Sequence, residues 1–241
     1  PRSPEEDGGS LEEAELAKLY CNTYRDINFA IGNAFCLAAQ TFGIDGIKII
    51  DLANEGYSRA NIAMPGFVAG PCLEKDAYIL AHNMKECPSK NFILGARAIS
   101  TSLEDSVVEW VKNNFDRKKI ISLSGMAFKG RPETSDLRGS SSVNIAKNLF
   151  SLGYELRLHD FVADFKEMQD LKLGRVFENL KDSCENADAL LILNNHEKYL
   201  NLTREDLGSN KNIIILDSWQ VCKNIKDSFT LGNMLLSGGV N

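Results

Sequence analysis

The chain has 241 residues, a formal net charge of −6, 25% charged and 44% hydrophobic residues, the make-up of a soluble globular protein long enough for one large or two ordinary domains. That acidic balance argues against nucleic acid as a partner, since phosphates call for a basic surface, and the longest apolar runs (IIIL, ALLIL) are far too short to span a bilayer. The opening PRSPEEDGGS is no secretory signal, and six cysteines without a Cys-x-x-Cys pair suit neither a disulfide framework nor a zinc site, so a cytoplasmic chain with no metal and no membrane contact is expected.

Residues 1–10 are polar, acidic and rich in Pro and Gly, and read as a disordered lead-in or linker remnant. From Leu11 the apolar positions Leu16, Leu19, Tyr20, Ile27, Ala30, Ile31, Ala34, Phe35 and Ala38 follow the 3.6-residue period, which predicts one long helix ended by Gly43. A second helix, IDGIKIIDLANEG, leads into the loop PGFVAGPCLEKD. A third helix is expected from Leu73 (LEKDAYILAHNMKE), followed by a fourth over ILGARAISTSLEDSVVEWVKNN, so residues 11–114 form an all-helical domain. At Asp116–Lys119 the period changes. The short runs IISLSG, YELRLHD, ALLILN and NIIILD alternate with helical segments, which implies right-handed crossovers and a mainly parallel sheet. The fold class is therefore α plus α/β, with a helical domain followed by a Rossmann-like α/β domain over residues 115–241.

Several residues could carry chemistry. Cys72 closes a loop punctuated by Gly66, Gly70 and Pro71. If a helix begins at Leu73, its partial positive end favours a thiolate at Cys72 and sets Asp76 one turn on, on the same side. On spacing alone, a packed small residue and a nucleophile are equally open readings. Lys18 and Asn22, four apart, share one face of the first helix. Lys18 reads either as a lysine snorkelling from the helix edge or as a partly buried cation beside a substrate oxygen. In the second half, GMAFKG lies where a strand hands over to a loop, and SDLRGSSS leads into a helix. Such a place suits an anion, with Lys129 and Arg138 as its partners or as plain solvated charges. His82, His159 and His196 show no metal-ligand spacing and read as structural.

The motifs ELAKLYCN, PGFVAGPCLEKD and AFKGRPETSDLRGSSS, in that order and followed by an α/β domain, resemble the UDP-glucose/GDP-mannose dehydrogenase family of nucleotide-sugar 6-dehydrogenases. The family's Glu-Leu-x-Lys-x-x-x-Asn helix corresponds to Glu15–Asn22, and its glycine-rich loop, cysteine and aspartate to Gly70, Cys72 and Asp76. The resemblance implies oxidation of the C6 alcohol of a UDP-sugar to a uronic acid in two NAD-dependent steps. It makes Cys72 the nucleophile that forms a thioester, Lys18 and Asn22 the groups that stabilise charge at the C6 oxygen, and Asp76 the aid to proton transfer and to the hydrolytic water. Phe67, Gly70, Phe128, Lys129 and Arg138 would contact the UDP-sugar, and Arg59 would reach the sugar site of a partner in a homodimer built through the helical domain. The loop looks more like the N-acetylhexosamine branch than the UDP-glucose one.

Three departures stand out. No G-x-G-x-x-G is present, so the resemblance puts the NAD site on a domain outside these residues, and the chain alone is expected to be inactive as an oxidoreductase. Where the family often has arginine after the last strand's aspartate, the chain reads Asp217-Ser218-Trp219-Gln220. Ala69-Gly70-Pro71 stands where Gly-Gly precedes the cysteine. A non-enzymatic sugar-nucleotide-binding or regulatory protein derived from the family is the rival reading. A thiol hydrolase ranks lower, because His82 is the one histidine near Cys72 in sequence.

Overall fold

A computed structural model describes residues 10–210 and 212–236. Residues 1–9 of the expected lead-in lie outside the described residues, whereas Ser10 is the N-cap of the first helix. Its hydroxyl accepts from Glu13 N–H at 3.2 Å, and its own N–H donates to Glu13 Oε2 at 2.7 Å, a reciprocal capping box.

Helix α1 (Leu11–Thr41) is followed by α2 (Gly46–Asn54), a long irregular stretch, α3 (Asp76–His82) and α4 (Pro88–Asn114). Next come β1 (Ile120–Ser124), α5 (Ser141–Ser151), β2 (Glu155–His159), α6 (Phe165–Asp170), β3 (Arg175–Val176), α7 (Leu180–Cys184) and β4 (Ala189–Ile192). Two short 3-10 turns, Glu197–Asn201 and Arg204–Leu207, precede β5 (Ile214–Asp217). The five strands form one parallel sheet in the order β3-β2-β1-β4-β5. The chain therefore adds strands on one side of β1 and then crosses to the other, which leaves a topological switch point between β1 and β4.

The sheet is buried on both faces, as a parallel sheet must be. Ile121, Leu123, Leu156, Leu158, Leu191 and Leu216 point to one face, where they meet α5 and the C-terminal half of α4 (Leu103, Val107, Trp110, Val111). Leu190, Ile192, Ile213 and Ile215 fill the other with Tyr199, Val221 and Cys222. The helical half has little apolar core of its own: Cys36, Ile47 and Ile50 form a small cluster with Ile62 against it. Because α4 gives its apolar stripe to the sheet, the two halves share one core across the boundary.

The third helix differs from its expected extent. Residues Pro71–Lys75 form turns, in which the Cys72 carbonyl accepts from the N–H groups of Lys75 (3.2 Å) and Asp76 (2.9 Å), and continuous helix starts at Asp76. Cys72 therefore lies ahead of a seven-residue helix rather than on its first turn, and the argument from the helix dipole does not hold.

Candidate functional site

The site is built along the inward face of α1. That face is polar at Thr23, Asp26, Asn33 and Gln40, all buried. Asn33 and Gln40 grip backbone, Asp26 pairs with Arg97 and Ser100 of α4, and the Thr23 hydroxyl has no partner among the described residues. The Asn33 amide accepts from Gly66 N–H at 2.8 Å and donates to Gly66 carbonyl at 3.1 Å. Asn22, three turns earlier, donates to Asp76 Oδ2 at 2.6 Å. The segment from Gly66 to Asp76 thus runs antiparallel to α1, pinned at both ends. Further along, Gln40 donates to Leu231 carbonyl at 2.9 Å and accepts from Leu235 N–H at 2.8 Å, tying α1 to the end of the described chain. No side-chain pattern announces the contacts of Asn33 and Gln40, because their partners are peptide groups.

Above this segment opens a cavity of about 630 Å³. One wall is α1 (Lys18, Cys21, Asn22, Arg25), the floor is the loop from Phe67 to Leu73, and the far wall comes from the carboxyl end of the sheet. Phe128, Lys129 and Arg131 follow β1, Asn195 follows β4 and Trp219 follows β5, so the cavity sits at the switch point. The loop and far wall fit closely. Gly70 has φ +100° and donates its N–H to Gly139 carbonyl at 2.9 Å; a Cβ there would lie 2.8 Å from the Phe128 ring. A Cβ on Gly66 would lie 2.7 Å from Trp219. Trp219 is fixed in turn by its indole N–H to Leu193 carbonyl (3.1 Å) and by the buried Asp217 carboxylate, which accepts from the N–H groups of Trp219 (3.2 Å) and Cys222 (2.8 Å). Burial pushes the Asp217 carboxyl above its ordinary range.

The cavity is cationic in an acidic protein. Lys18, Arg25, Lys129 and Arg131 line it with no acidic residue among them, and no carboxylate of the described residues pairs with any of the four. Low-dielectric walls bearing one sign of charge concentrate an anionic ligand. Aromatic surface from Phe29, Phe67, Phe128 and Trp219 supplies flat faces beside those charges.

Of the residues singled out from the sequence, Lys18, Asn22, Cys72, Phe67, Gly70, Phe128 and Lys129 meet at this cavity. Lys18 is exposed on its wall rather than partly buried. Asp76 is buried and reaches the site through Asn22. Arg138 is not on the lining; its guanidinium is held by Asp136 at 2.8 Å. Arg59 is exposed in a turn and also off the cavity. Arg25, Arg131, Asn195 and Trp219 were missed as lining residues. Arg25 stands on the face that Lys18 and Asn22 define. Trp219 could have been found as the residue standing where a cation was expected.

A dinucleotide does not fit the crevice that follows β1. Ser140 and Ser142 hydroxyls donate to the carbonyls of Met126 and Gly125, each at 2.7 Å, and the Asp160 carboxylate accepts from Ala127 N–H at 2.9 Å. At the start of α5, where a pyrophosphate would sit, the buried Glu104 carboxyl from α4 faces Ser141 and Asn144. Burial pushes that carboxyl up, against the pull of both side chains and of Arg97. Among the described residues no group of three or more His, Cys, Asp or Glu could hold a metal, all six cysteines are free, and no helix is long and apolar enough to cross a membrane.

Two family models match the chain: the central domain of the UDP-glucose/GDP-mannose dehydrogenase family over residues 12–99, and the UDP binding domain of the same family over residues 122–224. The UDP-N-acetyl-D-mannosamine dehydrogenase of Methanocaldococcus jannaschii is 32% identical over 216 residues, covering 85% of this chain and 46% of its own length. The solved structure of UDP-D-ManNAc dehydrogenase from Pyrococcus horikoshii superposes with a TM-score of 0.75 at 28% identity, over 94% of this chain and 53% of that one. UDP-N-acetyl-mannosamine dehydrogenase from S. aureus gives 0.76 at 26% identity, over 94% and 53%. The chain spans about half the length of the curated relatives it matches.

Proposed function

Because the chain belongs to the UDP-glucose/GDP-mannose dehydrogenase family, we propose that its cavity holds a UDP-sugar whose C6 end points at Cys72. The complete protein then oxidises the C6 alcohol to a uronic acid, and the sugar belongs to the N-acetylhexosamine class, as the names of the relatives suggest. The observation that carries this reading is the meeting of exposed Cys72 with Lys18 and Asn22 on one cation-lined cavity.

NAD is the proposed hydride acceptor of both oxidations. The crevice after β1 does not fit it, so the part of these residues is confined to the substrate. Lys129 and Arg131 on one wall, facing Lys18 and Arg25 on the other, neutralise the pyrophosphate. The Cys72 thiolate adds to the carbonyl carbon of the C6 aldehyde. Lys18 and the Asn22 amide donate to the oxygen that becomes negative. After oxidation the carbon is a thioester of Cys72. Water adds to it, the C–S bond breaks, and the thiol and the uronic acid are released, with Asp76 behind Asn22 taking the proton. Residues 11–114 serve as the dimerisation domain, residues 115–241 as the UDP-sugar domain, and Arg59 reaches the partner's site.

Replacing Cys72 with Ser in the complete protein tests the chemistry. Aldehyde oxidation should fall by several orders of magnitude, while the affinity for UDP-sugar shifts by less than about threefold. Turnover to the uronic acid at the parent rate would reject Cys72 as the nucleophile.

A further inference from the structure

A second buried charge system lies directly beneath Cys72. Arg97 on α4 is 5% exposed and its side chain meets Asp26 of α1, whose own side chain is 2% exposed. One nitrogen, Nη1, donates to Asp26 Oδ1 at 3.0 Å and to the Leu73 carbonyl at 3.2 Å; Nη2 reaches the Val68 carbonyl at 3.5 Å. Ser100, one turn further along α4, donates to the same Asp26 oxygen at 3.3 Å. The two carbonyls bracket Cys72. Asp26 follows Lys18 and Asn22 at the next helical repeat, so the line that faces the cavity at its first two members turns under the loop at its third.

We infer that Arg97, clamped by Asp26, is a positioning residue: it sets the loop from Val68 to Leu73 so that the Cys72 sulfur stands beside Lys18 and Asn22. This rests on the reading of Cys72 as the nucleophile. The loop has no strand or continuous helix to hold it, and its backbone carbonyls need donors once buried. A planar guanidinium presents several donors in fixed directions, so a single side chain binds one carboxylate and two carbonyls together. A lysine ammonium at the same place keeps the charge but cannot span both carbonyls. Desolvating two charges brings little net stability to a core, so stability alone is a poor account of this pair.

The test compares Arg97→Lys with the charge swap of Asp26→Arg combined with Arg97→Asp. The swap restores opposite charges but leaves the Val68 and Leu73 carbonyls without their donor. For the complete protein, kcat should fall about a hundredfold in Arg97→Lys, with KM for the UDP-sugar within about twofold of the parent, as expected for sub-ångström misplacement of a reacting group. In this chain, alkylation of Cys72 by iodoacetamide, read by peptide mass spectrometry against Cys87, should slow about tenfold. The swap should recover thermal stability without recovering either rate. Parent kcat and parent Cys72 alkylation in a folded Arg97→Lys would overturn the inference. Should both variants fail to fold, Ser100→Ala, which leaves the ion pair intact, should slow Cys72 alkylation about threefold, and an unchanged rate would overturn it equally. Parent turnover in Cys72→Ser would reject the nucleophile instead, while the alkylation rates would still report on the loop.

Discussion

At the scale of single residues, the site depends on where charge is left unpaired and where it is buried. Lys18, Arg25, Lys129 and Arg131 keep their charge open to the cavity, whereas Arg97 spends its charge inside the protein. His159 shows the opposite treatment. It ends β2, wholly buried, with Nδ1 2.8 Å from Ser124 Oγ, which in turn lies 2.6 Å from the Tyr199 hydroxyl. Burial lowers its pKa from 6.5 to about 4. The unfolded imidazole gains its proton near 6.5 and the folded one only near 4, so the unfolded state binds more protons in between and stability falls as pH drops through that window. The full loss is about 3 kcal/mol. Asp26, Glu104 and Asp217 have carboxyls raised by burial, and the folded state takes their protons first, so they act in the other direction on acidification. Comparison with His159→Gln isolates the imidazole. Between about pH 7 and pH 5 the urea midpoint of the parent should drop more than that of the variant. Equal pH sensitivity of the two would contradict the assignment.

Among the elements, α1 does two jobs on opposite faces. Inward, it grips peptide groups with Asn33 and Gln40 and the Asp76 carboxylate with Asn22. Outward, Leu16, Tyr20, Tyr24, Ile31 and Phe35 stay exposed, Tyr24 at 68% and Phe35 at 52%. The helical half has only a small core of its own, and this stripe is the exposed apolar surface that the proposed homodimer would cover. A Tyr24→Glu, Phe35→Glu double variant should be monomeric by light scattering at micromolar concentration, where the parent scatters as two chains; a monomeric parent would contradict the dimer. The sequence made α1 legible through its period and its following Gly43, and Lys18 with Asn22 through their four-residue spacing. It could not show what that inward face holds, because the partners of Asn33 and Gln40 are peptide groups of distant segments. Asp26 and Arg97 are 71 residues apart, and each alone looks like solvated charge. The start of α3 was misplaced because Leu73–Lys75 have ordinary helical composition, yet they are held in turns by the Gly70 and Cys72 carbonyls.

For the whole molecule, the arrangement is two walls meeting over one loop. The sheet places Phe128, Lys129, Arg131 and Trp219 at its carboxyl end, α1 places Lys18 and Arg25 opposite, and the core shared by α4 and the sheet fixes the gap between them. The α/β order was readable from the alternating strand and helix periods, and so was a ligand site at the strand ends. The shared core was not, since the stripe of α4 reads the same whether it packs on helices or on a sheet. The central claim is that a UDP-sugar fills this gap over Cys72. Its most direct test is site-resolved alkylation of this chain with and without saturating UDP-N-acetylhexosamine. Cys72 and Cys21, both on the cavity, should be protected about tenfold or more, with Cys87, off the cavity, unchanged. Binding of the UDP-sugar by calorimetry with no protection of Cys72 would contradict the claim.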